Sequence, residues 1–242
     1  MSFRKVLIVL PTYNESENIE SLIKTLTGKS VDFDVCVVDD SSADGTGKIV
    51  TRLINEIPGR VHLIERSKKN GRGGAVRAGF EFGIKSPLNY NIFIEMDSDF
   101  SHPPDSILLG LSILAKGNDV VLGSRYPNGT IIGWPLGRRI FSRLSNYLAR
   151  ILIAPAISDY TNGFRFYTRE TVTFLINQKQ KNFGYIYLSE MLSSLVLNHY
   201  RIASFPIVFR NRERGKSNMN LKEVYNAFIG IMGVAWNHHK SR

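Results

Sequence analysis

Three times in its first 65 residues the chain runs from a short, mostly apolar segment into a polar cluster. Val6-Leu-Ile-Val-Leu10 leads into Pro11-Thr12-Tyr13-Asn14-Glu15, after which Ile19, Leu22, Ile23 and Leu26 recur at helical spacing, with Asn14 or Ser16 placed to cap. Phe33–Val38 leads into Asp39-Asp40-Ser41-Ser42-Ala43-Asp44-Gly45-Thr46 and a helix over roughly 46–57, which Pro58-Gly59 stops. Val61–Glu65 is a third such run. Continuous β-branched runs are strands buried on both faces. Strands alternating with helices predict an α/β fold: a mostly parallel, right-handed sheet with helices on its faces.

The pattern continues. Asn70-Gly-Arg72-Gly-Gly-Ala-Val-Arg-Ala-Gly-Phe80 is glycine-rich but lacks the Gly-Lys-Ser/Thr ending of a Walker loop and the spacing of a dinucleotide fingerprint. It reads as a flexible loop and helix N-terminus beside a nucleotide, with Arg72 as a phosphate contact, or as a plain loop-to-helix junction. Ile92-Phe-Ile is a fourth strand, and it runs into Asp97-Ser98-Asp99 and the turn His102-Pro103-Pro104. A helix over 106–114 and a strand over 119–123 follow, the latter ending in Ser124-Arg125-Tyr126. Parallel strands bring their carboxyl ends to one edge of a sheet, where ligands bind. Tyr13, Asn14, Glu15, Asp39, Asp40, Asp97, Asp99 and Arg125 are therefore expected to converge.

Two aspartates one residue apart ionise together readily only with a counter-charge. Mg²⁺ or Mn²⁺ accepts one or two carboxylates and completes its shell with phosphate oxygens, so Asp97 and Asp99 read as a metal–diphosphate site. The plainer alternative is a pair of turn and cap residues.

At 242 residues with 43% hydrophobic content the chain suits one large domain, or one domain with an extension. The single cysteine, Cys36, excludes an internal disulfide framework and reads as a core residue. No stretch reaches the ~18 apolar residues of a membrane span, and Val6–Leu10 is too short for a signal-peptide core, so a cytoplasmic location is expected. The formal charge of +10 favours polyanionic partners. No nucleic-acid-binding motif accompanies it, so phosphorylated small molecules or anionic lipid are favoured over nucleic acid.

Two later segments are amphipathic. Over 136–153, Ile140, Phe141, Leu144, Tyr147, Leu148, Ile151 and Leu152 recur at helical spacing, and Arg138, Arg139, Ser142, Arg143, Asn146 and Arg150 fill the other face. Arg138 and Ser142, four apart, share a face and are placed to hold one phosphate. The segment is either a core helix with a solvated polar side or a basic helix on an anionic bilayer. Over 221–242, Leu221, Val224, Tyr225, Phe228, Ile229, Met232, Ala235 and Trp236 form a second stripe, read as an interfacial anchor, a docking face for a small membrane-spanning subunit, or a packed terminal helix. The domain division expected is 1–220 and 221–242. His62 reads as a strand histidine, and His238-His239 is too short for a metal site.

Pro11-Thr-Tyr-Asn-Glu15, Val38-Asp39-Asp40-Ser-x-Asp44-Gly-Thr46 and Met96-Asp97-x-Asp99-x-Ser-His-Pro-Pro104 resemble the inverting, GT-A-type family-2 glycosyltransferases. Gly123-Ser-Arg125-Tyr, the 133–143 segment, Asp159-x-Thr-x-Gly-Phe-Arg165 and Arg212-x-x-Gly215-Lys-Ser resemble the polyprenyl-phosphate (dolichol-phosphate) mannose synthases among them. The resemblance implies a GT-A nucleotide-sugar-binding fold. It implies a donor pocket of Pro11, Tyr13, Glu15, Val38, Asp40, Ser98, Arg212 and Asn218, with a metal on Asp97, Asp99 and Ser101. Arg125, Arg138 and Ser142 would hold the acceptor phosphate, and Asp97, Asp99 and Arg125 would be catalytic. Ser101 stands where relatives often have glutamine, and Asn218 where they have lysine, with Lys216 two residues earlier. Glu190 stands where broader family-2 enzymes place an acceptor-side acid.

The implied reaction is metal-dependent transfer of mannose from GDP-mannose to a polyprenyl phosphate, at the cytosolic face of a membrane. Relatives come with and without membrane-spanning extensions, which implies peripheral attachment or a membrane partner here. A UDP-sugar donor and a non-catalytic nucleotide- or lipid-binding subunit are the competing readings.

Overall fold

A computed structural model describes residues 5–29, 33–212 and 221–240. The order is β1 (Val6–Thr12), α1 (Ile19–Thr27), β2 (Phe33–Asp39), α2 (Thr46–Glu56), β3 (Val61–Glu65), α3 (Arg72–Lys85) and β4 (Ile92–Glu95). A 3₁₀ turn, Pro104–Ser106, leads to α4 (Ile107–Leu114), β5 (Val120–Ser124), β6 (Thr130–Ile132) and α5 (Leu136–Leu152). Then come β7 (Arg165–Thr168), α6 (Arg169–Asn177), α7 (Tyr187–Leu197), β8 (Ile202–Pro206), β9 (Val208–Arg210) and α8 (Leu221–Lys240).

Seven strands form one sheet in the order β3-β2-β1-β4-β7-β5-β8, and β6 pairs with β9 in a small second sheet. The large sheet is parallel except for β7, which runs antiparallel to both β4 and β5. The chain order reverses direction at β1, which has β2 on one side and β4 on the other. Such a switch point opens a crevice at the carboxyl ends of the strands. Here it is the crevice between Pro11–Glu15 and Asp97–Asp99.

Both faces of β1 are buried, as its unbroken apolar run predicts. Val6, Ile8 and Leu10 pack with α1, α2 and α4, while Leu7 and Val9 pack with the layer containing α3, α6 and α7. Each of these five side chains is fully buried, contributing roughly 1.5–3 kcal/mol relative to exposure. Cys36 lies inside β2, and burial pushes its thiol up to about 12, so it is an inert core residue.

The glycine-rich stretch is not a flexible loop. Gly71, with φ +76°, turns the chain, and the helix begins at Arg72. The later glycines let α3 lie close on the sheet: a Cβ at Gly79 would come within 2.4 Å of Val9, and one at Gly83 within 2.4 Å of Phe93.

Helix α5 faces the opposite way from an ordinary amphipathic surface helix. Its buried residues are Ser145, Asn146 and Ala149, whereas Leu136, Ile140, Leu144, Tyr147 and Ile151 are exposed. At 100° per residue those five fall within an arc of about 80°. Exposed Arg139, Arg143 and Arg150 run along one border of this stripe. Phe141, Leu148 and Leu152 on the inner side are half-buried.

Helix α8 packs against α5 and α7. Ile231, Val234, Ala235 and His238 face inward, and Met232 and Trp236 face out. It is a packed terminal helix over these residues, and nothing about its inward face calls for a membrane-spanning partner. The side chains of Leu221, Val224, Tyr225, Phe228 and Ile229 lie outside the described set.

Candidate active site

The loops after β1, β2 and β4 each contain one non-glycine residue in the left-handed region: Asn14 (φ 57°), Ser41 (φ 59°) and Phe100 (φ 61°). Such backbone is sparsely populated and persists where surrounding structure over-determines it. The bonds doing so are visible. Asn14 N–H donates to Ser42 Oγ (2.8 Å), Glu15 N–H to Thr46 Oγ1 (3.0 Å) and Ser16 N–H to Asp44 Oδ2 (2.9 Å). Ala43 N–H returns to Asn14 Oδ1 (3.0 Å). Asp39 accepts from Thr12 Oγ1 and from the backbone and hydroxyl of Ser42. The Asp-Asp-Ser-Ser-x-Asp-Gly-Thr motif therefore divides by role: Asp39, Ser42, Asp44 and Thr46 staple two loops together, and Asp40 faces the cleft. Arg66 Nη1 (2.7 Å) and the Asn70 N–H (3.3 Å) hold Asp40, whose pKa burial raises.

The cleft at these strand ends has a volume of about 160 Å³ and is lined by Pro11, Tyr13, Glu15, Asp40, Lys69, Arg72, Asp97, Ser98, Asp99, Tyr185 and Arg212 among others. Lys69 Nζ lies 3.8 Å from the centre of the Tyr13 ring. Of the expected donor residues only Val38 turns away: it is fully buried in the core, under Gly79. Strand alternation sends its side chain into the sheet layer, and only its carbonyl, accepting from Thr12 Oγ1, borders the region. Asn218 and Lys216 lie outside the described residues.

Asp97 and Asp99 stand at the junction of this cleft with a second chamber of about 70 Å³. The Asp97 N–H donates to His102 Nδ1 (2.9 Å), so the proton of this buried imidazole sits on Nε2, 2.9 Å from Asn162 Oδ1. Burial lowers the His102 pKa, consistent with that neutral form. Asp97 Oδ1 takes Arg72 Nε (3.0 Å) and Nη2 (2.8 Å). Burial opposes ionisation of Asp97, but the Arg72 guanidinium, aided by Arg212, outweighs it and holds the carboxyl at about 2. Asp99 Oδ1 accepts the Ser101 N–H (3.1 Å), and Asp99 Oδ2 lies 3.0 Å from Arg212 Nη2.

This donor set fits a hard divalent cation. It offers two carboxylates and the buried Ser101 Oγ, which has no hydrogen-bond partner among the described residues. No group of three or more His, Cys, Asp or Glu gathers among the described residues, so water and diphosphate oxygens would complete the shell.

The second chamber is lined by Arg72, Arg125, Arg138 and Arg212 as well as Trp134, Thr161 and Asn162. Arg125 forms a two-pronged pair with Asp159 (Nε 2.8 Å, Nη2 2.9 Å), donates its backbone N–H to the same carboxylate (3.0 Å), and reaches Thr161 Oγ1 (2.7 Å). Asn146 of α5 bonds Thr161 Oγ1 (3.1 Å) and accepts the Tyr160 N–H (2.7 Å), tying the helix to this loop. The Arg138 guanidinium carbon lies 3.9 Å from the centre of the Trp134 ring. Burial, then the nearby Arg125 charge, lowers its pKa. Arg138 Nε and Ser142 Oγ are buried and unpartnered among the described residues. Arg138 lines the chamber; Ser142 is one turn further along the same face and does not.

Glu190 is not an acid in this chamber. Its carboxylate accepts from Lys181 N–H, Asn182 N–H and Asn182 Nδ2 (3.0 Å each), holding the loop after α6 beside a separate cavity of about 260 Å³. Asp97 and Asp99 are the only carboxylates lining the 70 Å³ chamber among the described residues. The partners that sequence reading does not assign are Asp159, Arg66, His102 and Glu95. Asp159 lies in a motif with a visible signature, but nothing in the sequence ties it to Arg125, 34 residues away.

Glu15 gives a pH signature. Burial raises its pKa from 4.5 to about 7, against the lowering influence of Asn18 and Arg212. Between about 5 and 7 the folded chain then holds a proton that the unfolded chain releases, so stability falls as pH rises through that window. Metal-free Glu15→Gln should flatten this slope and gain stability at pH 8 relative to pH 5, measured by urea unfolding with chelator present.

The sequence model described as glycosyl transferase family 2 matches residues 7–174. Polyprenol monophosphomannose synthase of Mycolicibacterium smegmatis is 33% identical over 229 residues, covering 94% of this chain and 86% of that protein. Undecaprenyl-phosphate mannosyltransferase of Micrococcus luteus is 34% identical over 228 residues, covering 94% of this chain and 92% of that protein. Among solved structures, glucosyl-3-phosphoglycerate synthase from Mycobacterium tuberculosis, in complex with Mn²⁺, UDP-glucose and phosphoglyceric acid, superposes with a TM-score of 0.69 at 19% identity. That match covers 97% of this chain and 79% of that one. At that identity the likeness shows the shared fold.

Proposed function

The chain belongs to glycosyl transferase family 2, and from that premise we propose that it transfers mannose from GDP-mannose to a polyprenyl phosphate with inversion. The observation that carries this reading is the second chamber: four arginines line it and, among the described residues, no carboxylate other than the Asp97/Asp99 pair does. An acceptor hydroxyl needs a base. A phosphate monoester, with a second pKa of about 6, is already largely ionised and needs positioning and charge compensation instead. Guanidinium groups supply both. The names of the two mannosyltransferase relatives support the same acceptor and sugar.

In this reading Asp40, Arg66 and Tyr13 border the nucleoside, Ser98, Asp97 and Asp99 border the donor diphosphate, and Arg212 joins the two acidic groups Glu15 and Asp99 on the donor side. Arg125 and Arg138 receive the acceptor phosphate. Asp159 fixes the Arg125 fork, and the Trp134 ring supports Arg138. A bound Mg²⁺ or Mn²⁺ on Asp97 and Asp99 would supply Lewis-acid stabilisation of the leaving diphosphate. In-line attack yields a β-linked mannosyl phosphate from the α-linked donor.

The outward face of α5 supports a lipid acceptor. Its exposed Leu136, Ile140, Leu144, Tyr147 and Ile151, bordered by arginines, suit the surface of an anionic bilayer, and Arg138 of the same helix lines the acceptor chamber. No described helix is long and apolar enough to cross a membrane, so attachment in this reading is peripheral, on the cytosolic face. Ile140→Glu with Leu144→Glu should abolish cosedimentation with phosphatidylglycerol vesicles while leaving the circular dichroism spectrum unchanged. Retained binding would move the membrane contact elsewhere.

The test of the reaction is transfer of labelled sugar into the organic phase from a panel of nucleotide sugars, with Mn²⁺ and a short polyprenyl phosphate. Mannose from GDP-mannose is expected; glucose from UDP-glucose alone would establish the competing donor. Arg138→Ala should raise the acceptor KM roughly tenfold or more, the loss of one charge-assisted bond of about 1.5–3 kcal/mol, with a smaller change in donor KM. The reverse pattern would place Arg138 on the donor side.

A further inference from the structure

Arg72 sits between the two chambers with an interior anchor that the proposed reaction does not use. It opens α3, yet its side chain is only 10% exposed. Nη1 meets Glu95 Oε1 and the Tyr187 hydroxyl, and that hydroxyl also bonds Glu95. Glu95 is fully buried at the end of β4, where Tyr167 also reaches its other oxygen (3.3 Å). Nη2 is within 3.4 Å of the Gly163 carbonyl, and a Cβ on Gly163 would come within 2.4 Å of Nη2. Thus β4, α7 and the 159–165 loop all fix where this guanidinium can lie.

The result at Asp97 is specific. Both Arg72 nitrogens that reach it, Nε and Nη2, converge on Oδ1. Asp97 Oδ2 accepts no hydrogen bond among the described residues; His102 Nε2 lies 3.8 Å from it and is occupied by Asn162. A guanidinium free to choose would take both oxygens of a carboxylate in a parallel fork. Here Glu95 and Tyr187 hold the third nitrogen, and the Gly163 carbonyl lies beside Nη2.

We propose that Glu95, Arg72 and Tyr187 form a positioning strut that confines Arg72 to one oxygen of Asp97 and keeps the other turned to the donor's divalent cation. The inference rests on the reading of Asp97 as a cation ligand. Arg72 is a positioning residue here: it acts through Asp97. Without Glu95, Arg72 slides onto both Asp97 oxygens and competes with the cation. Without Arg72 as well, the competitor is gone.

The test is a double-mutant cycle read by Mn²⁺ binding, using electron paramagnetic resonance with GDP present. Glu95→Gln should weaken Mn²⁺ by about tenfold, within the range lost when a partner behind a metal ligand is removed. Adding Arg72→Met to it should recover most of that loss. Tyr187→Phe, which removes one oxygen from a buried ring, should weaken Mn²⁺ in the same direction by a smaller factor and keeps the test alive if a charge change prevents folding. GDP affinity measured in chelator separates this role from a direct phosphate contact: a drop in Arg72→Met without metal would overturn the proposal. Unchanged Mn²⁺ affinity in both Glu95→Gln and Tyr187→Phe, or a double variant no better than Glu95→Gln alone, would also overturn it. If the unaltered protein binds no Mn²⁺ with GDP, the cation reading falls and this inference with it.

Discussion

Asp99→Asn should lower transfer by roughly a thousandfold, the equivalent of about 4 kcal/mol of transition-state stabilisation. The substitution isolates charge from shape. Asparagine retains the oxygen that accepts the Ser101 N–H at 3.1 Å, so the left-handed turn at Phe100 keeps its local hydrogen bond. What it removes is the negative charge that Arg212 Nη2 approaches at 3.0 Å and that a cation would share with Asp97. Without it, Arg212 keeps Glu15 Oε1, at 3.3 Å, among its described partners. GDP binding should weaken in Mn²⁺ and hold steady in chelator, because the loss acts through the cation. Activity near that of the unaltered protein would reduce Asp99 to a turn residue, the plainer reading of an Asp-x-Asp pair.

The largest effect on stability should come from Asp159→Asn. Arg125 and Asp159 are almost completely buried, at 5% and 0% side-chain exposure, and are joined by two side-chain bonds and one backbone bond. Each compensates the other: burial works against Asp159 as an anion, and Arg125 outweighs it and holds its pKa down. Removing one partner strands the other charge in a low-dielectric interior, which costs about 3–5 kcal/mol. For a chain of this size that is a fall in Tm of roughly 10 °C in a thermal melt. Replacing both, Arg125→Met with Asp159→Leu, should recover much of the stability, since a buried ion pair is often replaceable by apolar groups. It should not recover transfer, because the acceptor chamber then lacks a guanidinium. A melt unchanged by Asp159→Asn would mean that water reaches the pair.

These effects trace which parts of the molecule are legible in the chain. The parallel half of the sheet is, because β1 opens on a continuous apolar run and β2 on one broken only by Asp34, both are buried on both faces, and each ends in a polar cluster. Convergence follows from parallel strands sharing an edge: Tyr13, Glu15, Asp40, Asp97 and Asp99 line one cleft, whereas Asn14 and Asp39 turn to staple the loops and Arg125 lines the neighbouring chamber. Strand β7 is not legible: it is four residues long, begins with the fully buried Arg165, and its neighbours β4 and β5 are far apart in sequence. Arg165 is held by three backbone carbonyls, those of Asn162, Leu188 and Tyr160, which no periodicity announces. Buried charges defeat pattern reading generally, because an isolated Glu95 or Arg72 reads as surface until its partner is known. The α3 glycines mislead in another way. Glycine weakens a helix in isolation, so the stretch reads as loop, but close approach to Val9 and Phe93 requires it. The inversion of α5 is likewise invisible in one dimension: amphipathicity shows two faces and does not say which one meets the protein.

The central claim is that this chain's acceptor is an ionised phosphate held by arginines, with no base. It is tested most directly by offering the enzyme two acceptors of equal chain length, a polyprenyl phosphate and the corresponding polyprenol, with labelled GDP-mannose and Mn²⁺. The account predicts mannosyl transfer to the phosphate and none above background to the alcohol. Comparable transfer to the alcohol would require a base that the described lining of the Arg72, Arg125, Arg138 and Arg212 chamber does not contain, and would contradict it.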